Sequence, residues 1–204
     1  MLISTRTTVR ETGRNNCMAK KPPTQFEDNR LAILRAASEL FCRQGVHAAS
    51  ISDIARTVKL SKGTVSYYYP SKDHLIYEVT DFHLSEVTDS LFAWMGAVSP
   101  GMPISQVLES FFAHAFSTEE KCRLHICLLS DAMLGNEAIR RLLTFSLSKW
   151  RAMAEAGLQK SGCAHYGAVA DALFVALESV ILRRAMGDAD LKIGETCAHI
   201  AEHV

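Results

Sequence analysis

The sequence predicts an all-α protein in two parts: an N-terminal three-helix helix-turn-helix unit, then a larger C-terminal helical domain. Three observations lead there. Apolar residues recur at three- and four-residue spacing through most of the chain, the period of a helix face. Ser, Gly and Pro stand where those periodic runs begin and stop. Sustained apolar–polar alternation and Asn-Gly turns, the marks of paired strands, are missing from the 204 residues.

With 48% hydrophobic and 22% charged residues, the chain can bury a sizeable core. It has no apolar run of about 18 residues, so a transmembrane helix is not expected. The opening "MLISTRTTVRETGR" is too polar for a signal peptide, which points to the cytoplasm. The six scattered cysteines contain no C-x-x-C pair and suit a reducing compartment. A net charge of zero hides an asymmetry. Residues 1–70 carry 11 Lys and Arg against 5 Asp and Glu, and the remaining residues 11 against 17. A basic front and an acidic back fit a polyanion-binding module joined to a domain with a different task.

Residues 1–28 lack apolar periodicity, carry Arg6, Arg10, Arg14, Lys20 and Lys21, and read as a flexible basic tail. Met18 within it is an alternative start. From Asn29, "NRLAILRAASELFCRQG" spaces Leu31, Leu34, Ala37, Leu40 and Phe41 as one helix face and stops at Gly45. Ser50 followed by Asp53 approximates a capping box ahead of a short helix with Ile51, Ile54, Ala55 and Val58 inward. Ser61 caps the next short helix, "KGTVSYYY". Pro70 ends it, and Ser71 caps a long helix. Two short helices joined by a tight turn form a helix-turn-helix, assigned to residues 29–75. Residues 76–204 form the second domain. With the long helix included, its segments fall near 72–97, 104–116, 119–134, 137–160, 166–187 and 190–203.

The triplet Tyr67, Tyr68, Tyr69 cannot face one way, since successive helix residues turn by about 100°. Val65 and Tyr69 share a face and point inward, leaving Tyr67 and Tyr68 outward. An exposed phenol can lie along a sugar–phosphate backbone and donate to a phosphate oxygen. Lys62 and Lys72 add charge in first turns of helices, where free N–H groups also favour anions. Gly63 permits close approach, and Thr64 can touch a base edge or a thymine methyl.

The run from Arg30 to Val79 resembles the DNA-binding domain of the TetR family of transcriptional repressors, the match lying in "ILRAASELFCRQGVHAASISDIARTVKLSKGTVSYYYPSKDHLIYEV". The resemblance implies DNA contacts at Ser50, Ser61, Lys62, Gly63, Thr64, Tyr67, Tyr68 and Lys72. Ser66 departs from the family's usual tyrosine. A serine there followed by an aromatic pair also occurs in the betaine-pathway subgroup.

In the second domain, Leu173, Phe174, Val175, Leu177, Val180, Ile181 and Leu182 cover too much circumference for a helix packed on one side. Ile193, Cys197, Ile200 and Val204 line one stripe of the last helix. The resemblance implies that these two helices pair with their copies, with Leu173, Leu177, Val180, Ile181, Cys197 and Ile200 in the dimer interface. A two-fold dimer would set two recognition helices about 34–36 Å apart on a near-palindromic double-stranded operator. It also implies a pocket for a small-molecule effector, for which Trp94, Phe111, Phe112, Phe116, Met133 and Trp150 are candidates, although such residues also read as core. His114, Cys122, His125 and Cys127 are near one another in sequence but make no tidy helical pair, so neither a metal nor a cofactor is expected. No nucleophile–base motif or Gly-rich phosphate loop argues for an enzyme. The reading is a homodimeric repressor released from DNA by a small molecule. The alternative is a ligand-binding helical protein or enzyme with a vestigial DNA module.

Overall fold

The computed structural model describes residues 23–188 and 190–202, and among them only helices and connecting turns occur. In chain order these are α1 (Pro23–Gln44), α2 (Ile51–Thr57), α3 (Lys62–Tyr68), α4 (Lys72–Ala97), α5 (Ile104–Ala115), α6 (Glu119–Met133), α7 (Glu137–Ser161), α8 (Tyr166–Ala185) and α9 (Ile193–Glu202). The all-α expectation holds, and most ends lie within two residues of the expected ones.

Helix α1 is the exception at its start. It begins at Pro23, inside the stretch expected to be a flexible tail. A proline fits the first helical turn, whose N–H has no intrahelical acceptor. Phe26 then finds aromatic partners on α3 that a sequence window cannot reveal. Residues 1–22, with the basic arginines and Met18, lie outside the described residues, as does Val204. The last helix begins at Ile193, later than expected.

The first three helices pack around Ile33, Leu34, Ala37, Phe41, Ile54, Val65 and Tyr69, all buried. α4 joins them to the rest: its start packs on α1 and its length lies along α7 and α5. α6 packs against α1 on one side and α7 and α8 on the other, while α5 carries α9. The central core is aromatic. Trp94 meets Phe111 edge-on at 5.2 Å, and Phe116 meets Trp150 edge-on at 5.9 Å. Both indole N–H groups are satisfied: Trp94 donates to Ser110 Oγ at 3.0 Å and Trp150 to Thr88 Oγ1 at 2.8 Å.

Candidate nucleic-acid interface

The short helices α2 and α3 are held mainly by their ends. Ser50 Oγ accepts from the Asp53 amide at 3.1 Å and Asp53 Oδ2 accepts from the Ser50 amide at 3.3 Å, the reciprocal capping box expected from the sequence. The Ser50 hydroxyl, donating to that carboxylate at 2.6 Å, and then the Ser50 amide hold the Asp53 carboxyl below its ordinary range. The turn after α2 closes with Leu60 N–H on the Ala55 carbonyl and Lys59 N–H on the Arg56 carbonyl. Lys59 takes the left-handed backbone at φ 54, a place where glycine is usual. Ser61 caps α3 by accepting from the Thr64 amide at 2.9 Å, and its hydroxyl is 2.8 Å from Thr64 Oγ1.

This construction presents Ser61, Lys62 and Gly63 to solvent at the start of α3. Gly63 has no internal need to be glycine: a Cβ there would meet nothing closer than Ser61 Oγ at 3.7 Å. The open space lies outside the protein. Thr64 is half-buried, its hydroxyl engaged by Ser61. Val65 and Tyr69 are buried as expected. The Tyr69 hydroxyl donates to the Arg30 carbonyl at 3.3 Å, and burial pushes its phenol up to about 12. Tyr67 is 73% exposed. Tyr68 is only half-buried rather than fully outward, because the Phe26 ring of α1 lies tilted against it at 4.7 Å and Asn29 Nδ2 donates to its hydroxyl at 3.2 Å. Ser66 is half-buried beside them.

Lys72 opens α4, and Ser71 caps that helix by accepting from the His74 amide at 3.0 Å. The Lys72 ammonium donates to the His47 carbonyl at 2.5 Å, which fixes its direction and leaves two donors for an anion. The His47 ring in turn reaches the buried Asp131 of α6 at 3.1 Å, and Asn136 donates to the same carboxylate at 2.7 Å. A polar chain therefore runs from the α2–α4 surface into the second domain. Sequence spacing gave no sign of Phe26, Asn29 or His47 as partners of the site, because each acts across a gap of 25 or more residues.

Two other sets of expected residues fall differently. Trp94, Phe111, Phe112, Phe116 and Trp150 are buried against one another as close-packed core, and Met133 is 75% exposed at the end of α6. A cleft of about 600 Å³ lies elsewhere, between α1, α4 and α6, with Arg35, Cys42, Phe82, His83, Lys121 and Leu124 among its walls. Leu173, Leu177, Val180, Ile181 and Cys197, expected at a dimer interface, are buried within the chain itself, and Ile200 is half-buried. Their side of α8 is taken by α6 and α7, and α9 lies on α5. The opposite side of α8 exposes Ala168, Ala172, Val175, Ser179, Leu182 and Met186 at alternating four- and three-residue steps.

Residues 33–79 match the profile of the family described as bacterial regulatory proteins, tetR family. The transcriptional regulator AcrR of Shigella flexneri is 30% identical over 110 residues, 52% of this chain and 50% of that one. The chain thus spans about half the length of this relative. The regulator BetI of Rhizobium meliloti is 26% identical over 179 residues, 86% of this chain and 87% of the relative. A putative transcriptional regulator of Saccharomonospora viridis, solved in complex with choline, shares the fold. Its TM-score is 0.70 at 17% identity, over 86% of this chain and 95% of the other.

Proposed function

The chain belongs to the tetR family of bacterial regulatory proteins, and from that premise we propose that it is a homodimeric, sequence-specific DNA-binding repressor released from its operator by a small molecule. The carrying observation is the exposed start of α3, where Lys62 and a sterically unneeded Gly63 stand one to two turns ahead of the exposed Tyr67. A glycine with open space in front of it lets a helix N-terminus come close to a partner surface. Lysine and phenol groups around it match the chemistry of a phosphate backbone. Ser50, Ser61, Lys62, Tyr67, Tyr68 and Lys72 would position the module, and Thr64 would read a base through its methyl group. A two-fold dimer would bring a second module to the next half-site, its interface formed by the exposed stripe of α8. The effector would act where the DNA module meets the second domain, since only a ligand that binds two arrangements unequally can shift between them. The choline complex of the Saccharomonospora viridis protein supports a small-molecule effector in general terms.

The test is fluorescence anisotropy with DNA from upstream of the gene, at two salt concentrations, against a scrambled duplex. Binding is expected to prefer the native duplex and to weaken steeply with salt, because phosphate contacts release counterions. The Tyr67→Phe/Lys72→Ala double variant should bind every duplex more weakly and lower the salt slope by about 1. Unchanged affinity in that variant would remove the docking.

A further inference from the structure

The first two turns of α1 do something that neither capping nor core packing requires. Phe26 lies against Tyr68 with ring centres 4.7 Å apart and planes tilted by 35°, and meets Tyr67 edge-on at 6.4 Å, while the two tyrosine rings meet each other edge-on at 5.6 Å. Beside this trio, Gln25 Nε2 donates to Asn29 Oδ1 at 3.2 Å and Asn29 Nδ2 donates to the Tyr68 hydroxyl at 3.2 Å. Tyr68 thus accepts from inside the protein. Its own O–H has no acceptor among the described residues and remains a donor for something outside. Each donor in such a chain polarises the next, which strengthens the final one. The ring trio has a second effect. A tyrosine as exposed as Tyr67 would otherwise sample several rotamers, and ordering it in advance removes that entropy cost from binding.

We infer that Gln25, Phe26 and Asn29 are positioning residues for the DNA contact: they hold the Tyr67–Tyr68 pair in place and aim the Tyr68 O–H at a phosphate. The inference rests on the reading of α3 as the DNA-facing helix. It adds that the first two turns of α1 set how well that helix grips, although Gln25, Phe26 and Asn29 need make no DNA contact themselves.

The test uses a fluorescein-labelled duplex selected from random-sequence DNA by the unaltered protein. Affinity is measured by anisotropy over a range of salt for Phe26→Ala, Asn29→Leu, Tyr68→Phe and the Asn29→Leu/Tyr68→Phe double variant, with thermal midpoints of the unbound proteins alongside. Losing one hydrogen bond to a charged oxygen corresponds to about tenfold in affinity. Asn29→Leu and Tyr68→Phe should each weaken binding by about that much, and Asn29→Leu should add nothing once the Tyr68 hydroxyl is gone. Phe26→Ala should weaken binding of every duplex, with Phe26→Leu as the substitute if the alanine variant does not fold. Equal losses from Asn29→Leu with and without the Tyr68 hydroxyl would overturn the inference, since Asn29 would then act by another route. So would unchanged affinity in Asn29→Leu and Phe26→Ala. A silent Tyr68→Phe also overturns it, and the Tyr67→Phe/Lys72→Ala variant then tells whether the docking of α3 survives.

Discussion

His83 and His125 show what a single residue contributes once its neighbours are known. Their rings lie between α4 and α6, Nε2 of one 3.3 Å from Nδ1 of the other, with Phe116 and Trp150 around His125. Burial pushes His125 down to about 4, and burial with the neighbouring His125 and Lys121 charges holds His83 well below its usual range. The unfolded chain takes up protons on both rings near pH 6.5, whereas the folded chain does not. Their contribution to stability is therefore full above about pH 6.5 and is lost as pH falls towards 4. Thermal midpoints should drop over that range by the equivalent of roughly 1 kcal/mol per imidazole per pH unit. The His125→Gln variant should show a shallower slope than the unaltered protein, and equal slopes would contradict it. His125 drew notice in the sequence only as a neighbour of His114, Cys122 and Cys127. Its actual partner lies 42 residues away, a pairing set by how α4 crosses α6. Burial also pushes the thiols of Cys42, Cys122 and Cys197 up to about 11, which disfavours the reactive thiolate.

At the scale of elements, helix ends were the most legible feature, because a cap is a local bond between a side chain and an amide three residues on. Ser50, Ser61 and Ser71 each make that bond. Contacts between helices were far less legible. Gly157 in α7 lies against the Trp94 ring of α4, and a Cβ there would stand 2.7 Å from Trp94 Cζ3. Lys160, one turn on, donates to the Met95 and Gly96 carbonyls at 3.3 and 3.1 Å and ties the same two helices together. Gly157→Ala gains about 1 kcal/mol of helix propensity. It also forces an indole locked by Phe111 and Ser110 out of place, a strain of about 1–3 kcal/mol or more. The clash should win, with a thermal midpoint lower by several degrees and altered tryptophan fluorescence. An unchanged or raised midpoint would mean that Trp94 has room to move.

For the whole molecule, the exposed face of α8 is the surface proposed to carry the dimer. Ala168, Ala172, Val175, Ser179, Leu182 and Met186 follow a seven-residue repeat on the side turned away from α6 and α7. Small and apolar residues at such steps suit close packing of one helix against its copy. Val175→Arg would set like charges against each other near the proposed two-fold axis. It should shift the protein to a monomer in analytical ultracentrifugation and weaken operator binding, since one half-site alone would be held. A variant that stays dimeric would move the interface elsewhere. The same scale explains why the expected lining of an effector pocket became core. Trp94, Phe111, Phe112, Phe116 and Trp150 have the right chemistry for either role, and only the packing of α4, α5, α6 and α7 decides between a filled and an open space.

The helical class, nearly all helix boundaries, the capped helix-turn-helix and the inward turn of Val65 and Tyr69 are legible in the linear string. Each depends on interactions within about four residues or on a repeating period, and both are visible in a linear string. Only the tertiary structure decided that α1 begins at Pro23 with Phe26 and Asn29 against the tyrosines, that Lys72 is held by His47, and that the apolar excess of α8 divides into a buried and an exposed face. A helix with apolar residues on most sides fits several partners equally well, and the choice among them comes from how the other helices fill the space around it.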